Sequence, residues 1–261
     1  MGFFRTLHFL SIDVVLGACL FQCLLTTIFF PGQFPPYQVS AALAFVVWTI
    51  YLVDRVIDNQ NPVSNSALHD FHLKHAGAVR FIIVGNILIL IFLFTYLPKY
   101  LIINGILIGI LVLIYWAFLV FGFFQRVHLI KEISTALIYT MGVSLYVSLN
   151  IGDSNLINFL FILGLLFLLA LENLVLFTFL STNLDLREKL MSKYIELIFI
   201  CLWLAVLFFT QLSVFLLLPF LLTFVIHLWI HYISASKQWA WVGEIAFLSP
   251  LFYYIYAIIS T

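Results

Sequence analysis

The residues best suited to chemistry are Asp54, Arg55 and Asp58, which close an otherwise apolar segment. The spacing of the two aspartates places both carboxylates on one face of a helix, one turn apart. Two anions that close repel each other unless positive charge lies between them. A divalent metal, a basic substrate group or Arg55 itself could supply that charge. The spacing therefore predicts a binding site for charged cargo at this helix end.

The chain that must position these groups is strongly apolar. Of its 261 residues, 65% are hydrophobic and 8% are charged, and its mean hydropathy is +1.19. Soluble domains carry roughly one quarter charged residues, so the composition predicts an integral membrane protein. The sequence contains no Gly-rich phosphate loop, nucleophile elbow or nucleic-acid patch. The expected partner is the lipid bilayer, and no nucleic acid is expected.

Nine segments of the chain are long and apolar enough to cross a bilayer. A spanning helix needs about 20 mostly apolar residues, and proline, glycine and charged clusters divide the chain at intervals of that order. The sequence therefore predicts an all-α polytopic bundle of nine transmembrane helices in a single membrane domain, residues 1–261. Cytoplasmic cap loops are expected at about 60–77 and 185–192. The predicted spans are roughly 4–29, 37–59, 78–97, 100–124, 129–149, 155–184, 192–210, 212–233 and 239–259.

Basic residues distinguish the two sides of this bundle. Lys and Arg concentrate in the cytoplasmic loops of membrane proteins. With nine spans, all but one of the 11 basic residues fall on one side, and Lys99 is the exception. This bias predicts a cytoplasmic N-terminus and an external C-terminus, in a bacterial-type inner membrane. Asp54 and Asp58 then lie at the cytoplasmic end of span 2.

Further polar residues lie on that predicted cytoplasmic side. Arg126 and Lys131 flank the start of span 5. A second polar cluster ends span 6 and consists of Asn183, Asp185, Arg187 and Lys189. These groups could form the rim of an anion site, or they could be an ordinary solvated helix end and determinants of orientation. The residue types leave both interpretations open.

Two acidic residues lie inside predicted spans. Asp13 is about two turns into span 1, and Glu172, beside Asn173, is near the middle of span 6. An ionisable group at such depth costs at least about 2.5 kcal/mol, so it is expected to face the bundle interior and to have a partner. Both are candidates for a substrate pocket. The alternatives are a salt bridge for Asp13 and a protonated, hydrogen-bonded Glu172.

Aromatic and imidazole side chains are further candidates. Most of the aromatic rings are expected to face lipid or to pack between helices. Trp48 and Tyr51 precede Asp54 on roughly its own helix face, and they could line a substrate pocket. His227 and His231, one helical turn apart, favour packing or hydrogen bonding over a metal or haem site, because no opposing histidine pair is evident.

The predicted topology and the two polar helix ends together resemble the UbiA superfamily of intramembrane prenyltransferases. Asp54 and Asp58 match the last two acidic positions of that family's first signature, Asn-Asp-x-x-Asp-x-x-x-Asp. The Asn and first Asp positions fall on Ile50 and Tyr51, which do not match. The second signature is another Asp-x-x-x-Asp, of which only Asp185 is present.

The resemblance implies a bundle around a central cavity and a Mg²⁺-dependent transfer of an isoprenyl group from an isoprenoid diphosphate to a hydrophobic acceptor. It implies that the catalytic residues are Asp54, Asp58, Arg55 and Asp185, the three aspartates holding the metal. The implied diphosphate-binding residues are Lys131, Arg126, Asn183, Arg187 and Lys189. The substrate pocket would be lined by Tyr51, Trp48, Asp13, Glu172 and Asn173. Two alternatives on the same scaffold are a terpene cyclase and a non-catalytic lipid-binding or transport protein.

Overall fold

The computed structural model describes residues 8–58, 67–123, 128–181, 186–209, 212–234 and 240–259. Within these ranges every regular element is a helix, which confirms the all-α class. The first five helices, α1 to α5, are Ile12–Phe29, Tyr37–Asp58, Ala67–Lys74, Ala76–Phe94 and Lys99–Val120. The next three, α6 to α8, are His128–Ser148, Leu156–Ser181 and Leu186–Phe209. Helices α9 to α11 are Val214–Trp229, which continues as a π-helical turn at Ile230–Ser234, then Ala240–Ala246 and Pro250–Ile259.

Six of the described helices are long and apolar enough to cross a membrane. These spans are Ile12–Phe29, Tyr37–Ile57, Ala76–Phe94, Lys99–Val120, Leu156–Leu176 and Val214–Tyr232. The chain is therefore a polytopic helical membrane protein, as its composition predicts. Helices α6 and α8 occupy predicted spans 5 and 7 and are 21 and 24 residues long. The predicted total of nine spans and their orientation stay predictions.

Two segments predicted to be cap loops are partly helical. The first, 60–77, contains α3 and the start of α4. The buried His72 of α3 donates from Nε2 to the backbone carbonyl of Phe9 at 2.8 Å. The second, 185–192, contains the first turns of α8. Leu, Arg, Lys and Glu are all good helix formers, so the charges in this second segment belong to a helix end.

The last predicted span, 239–259, is not one continuous helix. A turn at 247–249 separates α10 from α11. Pro250 begins α11. Proline has no N–H to donate and its fixed φ suits the first helical position, so it favours a new helix start over continuation.

Thr223 of α9 secures this turn. Its fully buried hydroxyl lies 2.8 Å from the carbonyl oxygen of Ala246 and 2.7 Å from the hydroxyl of Ser249. Thr223→Val keeps the side-chain shape but deprives the Ala246 carbonyl of this donor. We expect the free energy of unfolding to fall by about 1–3 kcal/mol, measured by thermal denaturation in detergent micelles. The exposed Thr95 is the control, where the same change should cost less than about 0.5 kcal/mol; equal losses would contradict the role of Thr223.

Helix α7 forms the centre of the bundle. It packs against α6, α8, α9 and α10, and Ile162, Leu165, Leu166 and Leu169 on it are fully buried. Helices α4 and α5 instead expose many of their Ile, Leu and Phe side chains. A membrane helix that is apolar all round and exposed on one side faces lipid there. Polar residues on α7 are therefore held in the interior.

Candidate functional site

A chain of hydrogen bonds connects Asp54 to two neighbouring helices. Tyr115 of α5 donates its hydroxyl to Asp54 Oδ1 of α2 at 3.3 Å. Thr135 of α6 follows, with Oγ1 3.2 Å from the Tyr115 hydroxyl oxygen and 2.9 Å from the carbonyl oxygen of Lys131. Tyr115 is buried and Asp54 is half-buried, so their contact is partly shielded from solvent. The acidic end of α2 is thereby tied to the first turns of α6.

A pocket lies between α1, α2, α6, α7 and α10, and Thr135 forms part of its wall. It is small, with an internal volume of about 20 Å³, room for about one water molecule, and it is partly open to the outside. Apolar side chains make up much of the wall, and the polar and aromatic side chains are Tyr51, Thr135, Tyr139, Asn173, Glu244 and Phe247. Apolar walls with a few converging polar groups are typical of a small-molecule site.

Two polar atoms of the pocket wall have no hydrogen-bond partner among the described residues. They are the side-chain oxygen of Asn173 and the hydroxyl of Tyr139. Asn173 is only 9% exposed, and a buried polar atom without a partner costs about 1–3 kcal/mol. Gly243 of α10 abuts this oxygen, since a Cβ atom there would lie 3.2 Å from it. The two atoms are therefore available to a ligand in the pocket.

His8, Asp13 and Glu244 form a cluster at one edge of the pocket. His8 Nδ1 lies 2.7 Å from Asp13 Oδ2 and 2.9 Å from Glu244 Oε2. Asp13 Oδ1 accepts a further hydrogen bond from the backbone N–H of Val14. Burial alone lowers the pKa of His8, but the hydrogen bonds and charges of the two carboxylates outweigh burial and raise it to about 9. His8 is therefore a cation at neutral pH, with two carboxylates against it.

Tyr51 interacts with both this cluster and the acidic end of α2. It lines the pocket together with Glu244, and it interacts electrostatically with Asp54, Arg55 and Glu244. The end of α2 and the cluster around His8 therefore belong to one polar region.

A second polar cluster lies elsewhere in the bundle. Carboxylate oxygens of Glu172 and Glu196 and a ring nitrogen of His231 all lie within 4.8 Å of one another. His231 Nδ1 is 3.1 Å from Glu196 Oε1, and Tyr232 donates to Glu196 Oε2 at 2.6 Å. This cluster joins α7, α8 and the π-helical turn after α9. Glu172, expected in the substrate pocket, thus has its polar neighbours here and is not part of the pocket wall.

The other residues predicted for the substrate pocket divide into two groups. Tyr51 and Asn173 line the pocket. Asp13 lies at its edge as the partner of His8, which matches the salt-bridge alternative. Trp48 packs against the main hydrophobic core and donates from Nε1 to the carbonyl oxygen of Leu10 at 2.9 Å. Trp48 therefore holds the start of the chain against α2.

The residues predicted to bind metal and diphosphate are described in part. Side chains are described for Asp54, Arg55 and Lys131. Only the helix backbone is described for Asp58, Arg187 and Lys189. Outside the described residues lie Arg126, Asn183 and Asp185. That the polar ends of predicted spans 2 and 6 lie together in one site therefore stays a prediction.

Sequence reasoning missed His8, Thr135, Tyr139 and Glu244. Glu244 could have been found, because it is an acidic residue inside an apolar segment, like Asp13 and Glu172. Nothing local distinguishes Thr135 or Tyr139 from other residues of α6, and His8 becomes notable only through its two carboxylate partners.

The fold and the site define the class, a polytopic helical membrane protein with a largely apolar pocket between its helices. Comparison with protein-family models, with curated proteins and with solved structures gave no match to this chain.

Proposed function

We propose that this protein is an intramembrane prenyltransferase-like enzyme, which transfers an isoprenyl group from an isoprenoid diphosphate to a hydrophobic acceptor with Mg²⁺. The observation that carries the proposal is the connection from Asp54 through Tyr115 to Thr135, which lines the pocket. A charged helix end and an apolar pocket adjoin each other. That arrangement suits a substrate with a charged head and an apolar tail. The proposal places the N-terminus and Asp54 on the cytoplasmic side, and the helices in nine spans.

The residues at the end of α2 fit a magnesium ion. Mg²⁺ prefers hard oxygen ligands and is commonly held by one or two carboxylates together with substrate phosphates. Asp54 and Asp58 offer two carboxylates one helical turn apart, and Asp185 is the proposed third ligand. Bound there, the ion would neutralise the charge that develops on a departing diphosphate.

Side chains of the protein orient the metal ligand, balance the charge of the diphosphate and exclude water. Tyr115 donates a hydrogen bond to one carboxylate oxygen of Asp54, which orients the other oxygen. Arg55 and Lys131 provide positive charge for the diphosphate, and the proposed rim also includes Arg126, Asn183, Arg187 and Lys189. The walls of the pocket exclude water from a reactive allylic centre, which would otherwise be hydrolysed.

Ligand-induced stabilisation tests the proposal without requiring turnover. The purified protein would be melted with Mg²⁺, with a non-hydrolysable prenyl thiodiphosphate, and with both. We expect both ligands together to raise the melting temperature by about 5–10 °C at roughly 100 times the dissociation constant, and either alone to do much less. The Asp54→Asn variant should lose the joint effect. Absence of a joint effect in the unmodified protein would contradict the proposal, and a joint effect without any product would favour the non-catalytic lipid-binding alternative.

A further inference from the structure

The polar atoms of the pocket have a common hydrogen-bonding character. An amide oxygen and a carboxylate only accept, whereas a tyrosine hydroxyl either donates or accepts. Asn173 Oδ1 and the hydroxyl of Tyr139 have no partner among the described residues, and Asn173 is nine-tenths buried. Glu244 contributes a carboxylate to the same wall. The complementary ligand group is therefore a hydrogen-bond donor.

The charges around the pocket favour the same kind of ligand. One basic side chain, His8, contacts two acidic side chains, Asp13 and Glu244, in this cluster. Arg55 also interacts electrostatically with Glu244, but His8 makes the direct contact. Glu244 is only 8% exposed, and a buried carboxylate is stabilised by a donor that approaches it. Glu244 is thus a proton acceptor held in place by His8.

We propose that the pocket binds the acceptor through a protic group, a hydroxyl or an amine, and that Glu244 takes the proton of that group. The inference rests on the proposed function for its chemistry. The allylic carbon–oxygen bond breaks, and its electron pair leaves with the diphosphate. The acceptor oxygen or nitrogen forms the new bond to the allylic carbon, and its proton passes to the Glu244 carboxylate. Asp13 and His8 are positioning residues, because they act through Glu244.

A binding experiment tests the ligand class without any catalysis. The protein in lipid nanodiscs would be melted with n-octanol, with n-octylamine and with methyl heptyl ether, which has a similar size but no donor. We expect stabilisation by the alcohol or the amine and none by the ether. The compound that stabilises the protein, the alcohol or the amine, identifies the acceptor class. Equal effects of all three compounds would overturn the proposal.

A kinetic experiment then tests the role of Glu244. With Mg²⁺, a prenyl diphosphate and the successful donor, Glu244→Gln should lower product formation by about 100-fold or more, the range of general-base catalysis. Release of diphosphate should fall to a similar extent, because each leaving group departs only when the acceptor captures the allylic carbon, whereas the joint stabilisation by Mg²⁺ and prenyl thiodiphosphate should be unchanged. Normal product formation by this variant would refute the role of Glu244, whereas failure of the unmodified protein to release diphosphate would refute the proposed function.

Two further variants keep the result interpretable. Glu196→Gln removes a buried carboxylate of the second cluster and should leave both rates unchanged. Asn173→Leu removes an oxygen that has no partner among the described residues, so it should fold normally even if Glu244→Gln does not. About tenfold more of the donor should be needed to stabilise this variant to the same extent. Unchanged stabilisation would overturn the proposed binding mode.

Discussion

Replacement of Asp54 by alanine is expected to abolish metal-dependent prenyl transfer. Asp54 is the carboxylate of the predicted metal site whose side chain the structure describes, and Tyr115 orients it through a hydrogen bond. Mutation of groups that merely support metal ligands costs 10–100-fold in metal affinity or activity, so loss of a ligand should lower transfer by about 100-fold or more. The measurement is product formation in membranes as a function of Mg²⁺ concentration, and added Mg²⁺ should restore little of the activity.

The control for this variant is Asp153→Ala. Asp153 is exposed in the short turn between α6 and α7, and its loss should leave transfer unchanged. Folding is checked by comparing melting temperatures without ligands, because the variant also loses the hydrogen bond from Tyr115. Undiminished transfer by Asp54→Ala at every Mg²⁺ concentration would eliminate the prenyltransferase proposal.

The helices were predictable because length and apolarity determine them. Eight of the nine predicted spans correspond to one described helix each, and the ninth is divided into two. Six of the described helices are long and apolar enough to cross a membrane. The structure differs from the prediction where charged residues were expected to form a loop. Helix α8 begins at Leu186, inside a predicted cap loop, because its charged residues are strong helix formers. The break before Pro250 depends on the Thr223 contacts, which no local pattern reveals.

The site was predictable only where a single residue is unusual in its own segment. Asp54, Asp13 and Asn173 stand out as polar groups in apolar helices, and each lies in or beside the polar region of the pocket. Their partners do not stand out, since the contact of His8 with Glu244 joins opposite ends of the chain. Charge compensation between distant residues is a property of the tertiary structure. For the same reason Glu172 belongs to the second polar cluster, whereas its neighbour Asn173 lines the pocket.

Substitution of Gly17 is expected to cause a large loss of stability. Gly17 of α1 is buried against the turn between α10 and α11, and a Cβ atom there would lie 2.7 Å from Phe247 Cβ and 3.3 Å from its carbonyl oxygen. These atoms belong to or adjoin the backbone, so the clash can be relieved only if a helix shifts. We expect Gly17→Ala to lower the free energy of unfolding by about 1–3 kcal/mol through overpacking, and Gly17→Leu to lower it further.

Gly109→Ala is the matched control for this close approach. Gly109 lies in α5, and a Cβ atom there would meet nothing within 4 Å. Since alanine is the better helix former, this change should raise the free energy of unfolding by up to about 1 kcal/mol. Thermal denaturation in the same micelles compares the two variants, and similar effects at both positions would show that α1 does not pack so tightly against Phe247. Because Phe247 also lines the pocket, Gly17→Ala should weaken stabilisation by a bound donor as well, which links the packing of α1 to the binding of the acceptor.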